Sequence, residues 1–383
     1  MFRRALACLV LTTAALWLAA PAVRAEAEGK HEFHASPGQT LTLDLEAGGG
    51  VKVTGDGGSA VRVSYSASEG SVVEFDEGAD GLKIVTRYVR KGGHPSSSID
   101  LEIHVPRRFD IELDSVGGSL EIDGVEGAFR GETMGGHLTL HDVRGEARLK
   151  TMGGPIRLTD SELDGSLETM GGEVLFQDVV GDVTGSSMGG NVRYERVARR
   201  NGKLATLDRL GDVDVTEETV QITTMGGAIE VSEAPEGVAL HTMGGDIHVS
   251  EARRFVSATT MGGDVVIDGA DGWIKATTMG GNVEATVVGS GGDVTLQSMS
   301  GDITLTVPRG FGMQLDLEIA YTRASGRSYR IVSDLDLSRS STDDWDHGHG
   351  SPRKYLRAAG SVGGGKNRVT IKTINGDIKI VTP

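Results

Sequence analysis

Nine thioethers recur at one place in a repeating phrase. Thr-Met-Gly-Gly or a close variant sets Met134, Met152, Met170, Met188, Met225, Met243, Met261 and Met279, and Ser298-Met299-Ser300-Gly301 closes a series opened by Ser115-Val116-Gly117-Gly118. Most steps are 18 residues; Met188 to Met225 is 37, which reads as two rungs plus one residue, and Met279 to Met299 is 20. Nine of the chain's 11 methionines lie in the phrase, so composition does not explain the pattern. Thioethers are soft ligands suited to Cu(I), and flexible methionine surfaces also suit apolar partners. Strict alternation from an inward Thr points each Met outward. The reading adopted from the sequence is instead that the Gly-Gly turn folds each Met back to fill the corner.

Other chemistry-bearing residues are sparser. Asp343, Asp344, Asp346, His347 and His349 form a candidate metal-ligating segment, which equally has the look of a solvated loop around Trp345 and Gly348. Asp246, Asp264, Asn282 and Asp302 follow the glycine turn as in calcium-binding rolls, but His137, Pro155, Glu173 and Ala228 hold that place in other rungs. Solvated turn residues are therefore expected there. The outward acids Glu121, Asp142, Glu168, Asp178 and Glu230 are scattered rather than paired for acid-base work. No Ser-His-Asp, Cys-His or phosphate-loop phrase is present. The chain is read as a non-enzyme, and no cofactor is expected.

These residues must be carried by strands. The rung from Met261 has Val265, Ile267, Ala270, Ile274, Ala276 and Thr278 at the places that Leu138, Leu140, Val143, Ala147, Leu149 and Thr151 occupy in the rung from Met134. Within each half-rung the apolar residues stand two apart, the strand period. The expected fold is all-β, a single-stranded parallel β-solenoid with 18-residue rungs, right-handed, and with almost no helix. At about 4.8 Å per rung, ten regular rungs make a rod of roughly 50 Å. The Met-Gly-Gly corners are expected to use positive φ, and the Thr column to form a ladder of hydroxyls bonded to one another.

Residues 1–25 read as a signal peptide: Arg3 and Arg4, an apolar run from Ala5 to Ala20, and Val23-Arg24-Ala25 before a cut after Ala25. Cys8 leaves with it, so the mature chain has no cysteine and uses no disulfide. The formal net charge of −16 becomes −19 as Arg3, Arg4 and Arg24 are removed. Such a surface disfavours nucleic acid and bare anionic membrane.

Residues 26–37 are expected to be a flexible mature N-terminus, and 38–383 one domain. Within it, 38–114 read as irregular capping rungs and 115–307 as regular rungs. Residues 308–383 read as C-terminal rungs with a loop insertion at about 322–366. The closing Thr373-Ile374-Asn375-Gly376-Asp377-Ile378-Lys379-Ile380 repeats the rung grammar. With the strand-Gly-Asp-Ile pattern and the signal peptide, it resembles the bacterial "putative adhesin" domains of unknown function known as DUF4097, over roughly residues 38–381. That resemblance implies a β-solenoid at the cell envelope and carries over no catalytic residues.

The functional expectation is an exported envelope protein, in the periplasm, on the outer surface or secreted, with no transmembrane span in the mature chain. It acts as an adhesin-like or scaffold module whose extended faces bind a polymer or protein partner. The competing readings are a polysaccharide-active β-helix enzyme and a metal-binding envelope protein.

Overall fold

The structure, a computed structural model, describes residues 28–46, 48–68, 70–88, 98–199, 221–348 and 351–383. They form β-strands almost throughout, with one short 3-10 turn at Arg323–Ser325. No helix among them is long and apolar enough to cross a membrane. The signal-peptide reading falls outside the described residues.

The repeat becomes two ladders of paired strands. In the first, Glu126–Thr133 pairs in parallel with Arg144–Thr151, so that Phe129 meets Ala147 and Thr133 meets Thr151, an 18-residue offset. In the second, Leu138–His141 pairs in parallel with the start of Ile156–Thr169, Leu138 against Ile156. Strands that run through the bend, such as Ile247–Thr259 and Val265–Thr278, join the two ladders into one network. Inward residues from both ladders make a thin aliphatic core of the kind set by Leu140, Val143, Leu158, Leu167, Ile247 and Ile274, all buried. Two-residue alternation explains the pattern: Arg144–Thr151 runs exposed Arg148, buried Leu149, exposed Lys150, buried Thr151.

Four expectations need correction. The stack is not parallel throughout. At one end Ser71–Gly78 pairs antiparallel with Gly81–Tyr88, and Ala60–Ala67 pairs antiparallel with Ile99–Pro106. At the other, Met313–Thr322 and Ser338–Ser341 both pair antiparallel with Arg353–Val362. The second ladder at that end closes in parallel, with Ile331–Val332 on Ile378–Val381. Second, Glu28–His34 is not a flexible terminus. It pairs along its length with Ala60–Ala67, and Phe33 packs against the core.

Third, Met188 to Met225 is one rung and not two. Ser187 pairs with Thr224 and Val192 with Ile229, so rungs on either side of the 37-residue step are direct neighbours. Fourth, the final rung is not the last in space. Asn367–Ile374 lies between Val294–Ser298 and Met313–Thr322, pairing in parallel with both. The first rung behaves alike: Thr40–Leu45 lies between Asp110–Ser115 and Gly81–Tyr88. Each terminal rung is thus flanked on both sides by strands that cover its hydrogen-bonding edges.

The glycine corners work by close approach, not by positive φ. None of Gly135, Gly136, Gly262 or Gly263 has a positive φ. A Cβ on Gly136 would lie 1.4 Å from the carbonyl oxygen of Gly118, whereas one on Gly135 meets nothing within 4 Å. The second glycine of the pair is required, because the rung below occupies the space of any side chain. The second corner of several rungs does use the left-handed region, through Asp142, Asp160 and Asp178, with φ between 46° and 55°. Asp tolerates that conformation better than most residues.

A test follows from the paired glycines. Gly136→Ala is expected to lower stability by more than ~2 kcal/mol or to prevent folding, while Gly135→Ala stays within about 0.5 kcal/mol of the parent. Thermal unfolding followed by circular dichroism separates them. Equal midpoints for the two variants would refute the close-approach account.

Candidate interaction surface

Each Thr-Met-Gly-Gly corner is set by its Thr. Thr151 is buried, and its hydroxyl donates to the carbonyl of Gly136 in the preceding rung at 2.9 Å. The same oxygen accepts the N–H of Gly154 in its own rung at 3.2 Å. Thr169, Thr242, Thr260 and Thr278 repeat this pair of bonds at 2.8–3.0 Å and 3.1–3.2 Å. Ser187 and Ser298 do the same. The hydroxyls therefore clamp glycine backbones between rungs, which corrects the expectation that they bond along their own column. A two-way hydroxyl at a buried corner satisfies one carbonyl and one N–H that the turn takes out of the strand ladder.

With Thr inward, the next residue points out. The nine corner methionines are all 39% to 56% exposed, from Met170 to Met134. Met does not fill the corner; the sequence expectation fails because the clamped Thr already occupies it. The column is continuous in the backbone. Gly189 N–H donates to Met170 O at 2.9 Å, Met225 N–H to Met188 O at 3.2 Å and Gly244 N–H to Met225 O at 3.0 Å. Ser298 pairs with Thr373, which sets Ile374 in the Met place of the following rung. The column therefore runs Val116, nine methionines, Ile374.

The residues after the glycines form a second, polar column. Asp246 Oδ1 accepts the N–H of Asp264, Asp264 Oδ1 that of Asn282, Asn282 Oδ1 that of Asp302 and Asp302 Oδ1 that of Asp377, at 2.6–2.9 Å. Each side chain caps the next rung. Sequence reasoning took these as solvated turn residues and missed the cap, whose signal was the 18-residue recurrence of Asp or Asn behind Gly-Gly.

Of the outward acids, Glu121, Asp142, Asp178 and Glu230 are engaged across rungs, whereas Glu168 stands exposed on its strand. Glu121 pairs with Lys52 at 2.7 Å, Asp142 with Arg107 at 3.5 Å and Glu230 with Arg193 at 2.7 Å. Asp178 takes two bonds from Arg196, at 2.6 and 2.7 Å, which hold its carboxyl below the usual carboxylate range. In the core, burial pushes the Tyr194 phenol up, and its oxygen accepts the Gly185 N–H at 2.5 Å.

Of the Asp343–His349 segment, the structure describes Asp343 to Gly348. Asp346 accepts from the Tyr355 hydroxyl at 3.2 Å and from the Gly348 N–H at 2.8 Å, while its backbone bridges Arg353. Trp345 packs edge-on to Tyr321 and under the Lys354 ammonium. His349 lies outside the described residues. Among the described residues no three His, Cys, Asp or Glu side chains gather in a metal-holding group.

A hydroxyl test isolates the clamp. Thr260→Val keeps the shape but strands the Gly263 N–H and the Gly245 carbonyl, and should cost roughly 1–3 kcal/mol. Thr260→Ser should keep most of the stability, since Ser187 and Ser298 already serve. Denaturant unfolding of the two variants reads the difference, and a Val variant as stable as the Ser variant would remove the clamp's role.

Comparison with known proteins gives one family and a set of structures. The family model described as Toastrack DUF4097 matches residues 95–326. Among solved structures, a "putative cell adhesion protein" of Clostridium sporogenes ATCC 15579 is 9% identical, covering 93% of this chain and 100% of its own, with a TM-score of 0.20. A "putative adhesin" of Parabacteroides distasonis ATCC 8503 is 10% identical, covering 73% and 93%, with a TM-score of 0.24. No curated protein matches the chain.

Proposed function

This chain belongs to the Toastrack DUF4097 family, and from that premise we propose that it is a non-enzymatic exported envelope protein, adhesin-like or a scaffold, which binds a polymer or a protein partner along its rungs. The observation that carries the reading is the register of the outward faces. Exposed side chains recur at the same place in successive rungs, as Glu132, Lys150 and Glu168 do across paired strands. A repeating partner, such as a polysaccharide or an extended chain, meets the same spacing many times on such a surface. Glu121, Glu230 and Asp178 on these faces are engaged in cross-rung ion pairs, which favours a contact surface over acid-base chemistry there. Export rests on residues 1–25, and a cut after Ala25 leaves the edge strand Glu28–His34 whole. The right-handed sense of the coil is part of the same proposal.

Two measurements test it. Mass spectrometry of the protein from its host should find the mature chain starting at Glu26; an intact Met1 in the exported fraction would contradict the export reading. The double variant Arg148→Glu, Lys150→Glu on Arg144–Thr151 should cut retention of the envelope partner or polymer at least tenfold while leaving thermal stability unchanged within about 0.5 kcal/mol. Shortening of envelope polysaccharide by the purified protein would favour the enzyme reading instead.

A further inference from the structure

We propose that the exposed methionine ladder from Met134 to Met299 is a binding site for soft monovalent cations, Cu(I) or Ag(I), held between sulfurs of neighbouring rungs. The inference is independent of partner binding through the charged faces.

The first support is where this chain uses sulfur. Buried positions are filled with Val, Ile, Leu, Ala and a few aromatics, and Met313, 1% exposed, is the sole methionine among the buried residues described. Methionine is thus hardly used here as a core filler, its ordinary role. The other described methionines stand at one outward corner, rung after rung, where they gain little from packing. If the column needed only apolar surface, Val or Ile would serve, as Val116 and Ile374 do at its two ends. What the nine central positions share beyond that is the thioether, a ligand that selects soft cations such as Cu(I).

The second support is spacing. Backbone bonds through Met170, Met188 and Met225 hold successive corners at the strand repeat, about 4.8 Å. Two metal–sulfur bonds of the zinc–thiolate length, about 2.3 Å each, span ~4.6 Å end to end, and the larger Ag(I) spans slightly more. One cation between adjacent rungs therefore needs only a small adjustment of an unbranched side chain with three rotatable bonds. The step from Met188 to Met225 does not interrupt the series, since those rungs are direct neighbours.

The third support is access and field. Each Met from Met134 to Met279 is followed by two glycines, so no side chain screens the sulfur on that side. Exposed carboxylates flank the column on both sides: Glu132 and Glu168 two residues before a Met, Glu173, Asp246 and Asp264 three after. They attract a cation and repel an anion. His241 and His137 occupy the same flanking places beside Met243 and Met134 and add imidazoles that suit Cu(I).

The test titrates Ag(I) into the purified exported chain by calorimetry and repeats the measurement with Cu(I) under anaerobic reducing conditions against a chromogenic Cu(I) chelator. The expected result is about four cations per chain, one for each pair of sulfurs, with sulfur as the nearest neighbour of the metal by X-ray absorption. Replacing all nine corner methionines by leucine keeps the apolar column and removes the sulfur; it should weaken binding at least tenfold with an unchanged circular dichroism spectrum. A smaller set, Met243→Leu, Met261→Leu and Met279→Leu, should lower the number bound, and it guards against a nine-site variant that does not fold. Absence of binding by the parent chain, equal uptake by the leucine variants, or equally tight uptake of Zn(II) would each overturn the proposal.

Discussion

The structure depends on one contact, the hydroxyl that the corner Thr or Ser from Thr151 to Ser298 lends to two glycine backbones. A coil with short rungs must turn sharply, and each turn withdraws peptide groups from the strand ladder. Left buried without partners, such groups cost free energy comparable to lost hydrogen bonds. Thr151, between Gly136 O and Gly154 N, meets one carbonyl and one N–H at once and ties consecutive rungs together. The contact also explains the glycines. To bring a backbone carbonyl to that hydroxyl, rungs must approach so closely that a Cβ on Gly154 would stand 2.0 Å from Gly136 O.

The methionine stripe follows from the same contact. A strand cannot place two successive side chains on one face. Once Thr points in to clamp the glycines, its neighbour must point out, and the glycines beyond provide no cover. The exposed thioethers are thus a consequence of corner geometry in their direction, though not in their chemistry. Geometry requires an outward residue at Met261; it does not require sulfur. The choice of sulfur at nine successive corners is what the packing leaves unexplained and what soft-metal binding accounts for.

The ends obey a different constraint. An open ladder presents unpaired peptide groups, which invite another chain to pair. Here antiparallel strands finish three of the four ladder ends, the fourth closing with the parallel strand Ile331–Val332, and the terminal rungs Thr40–Leu45 and Asn367–Ile374 are inserted inside those caps. The repeat proper is therefore closed from both sides by segments that do not carry the Met phrase.

The period, the inward positions and the near absence of helix were legible in the sequence, because each depends on local alternation and on glycine at fixed places. Leu138, Leu140, Val143, Ala147 and Leu149 could be read as one inward face from spacing alone. Tertiary structure decided which rung lies against which. Nothing local distinguishes a 37-residue step of two rungs from one rung with an extra segment; only the pairing of Ser187 with Thr224 does. The reversal of strands at the ends and the insertion of the last rung are likewise contacts between residues far apart in the chain. The side on which Met falls was within reach of alternation. It was misread because glycine was credited with bending the chain through positive φ, when the glycines are there to let a neighbouring rung come close. That neighbour, unlike the alternation, is not written in the residues around Met.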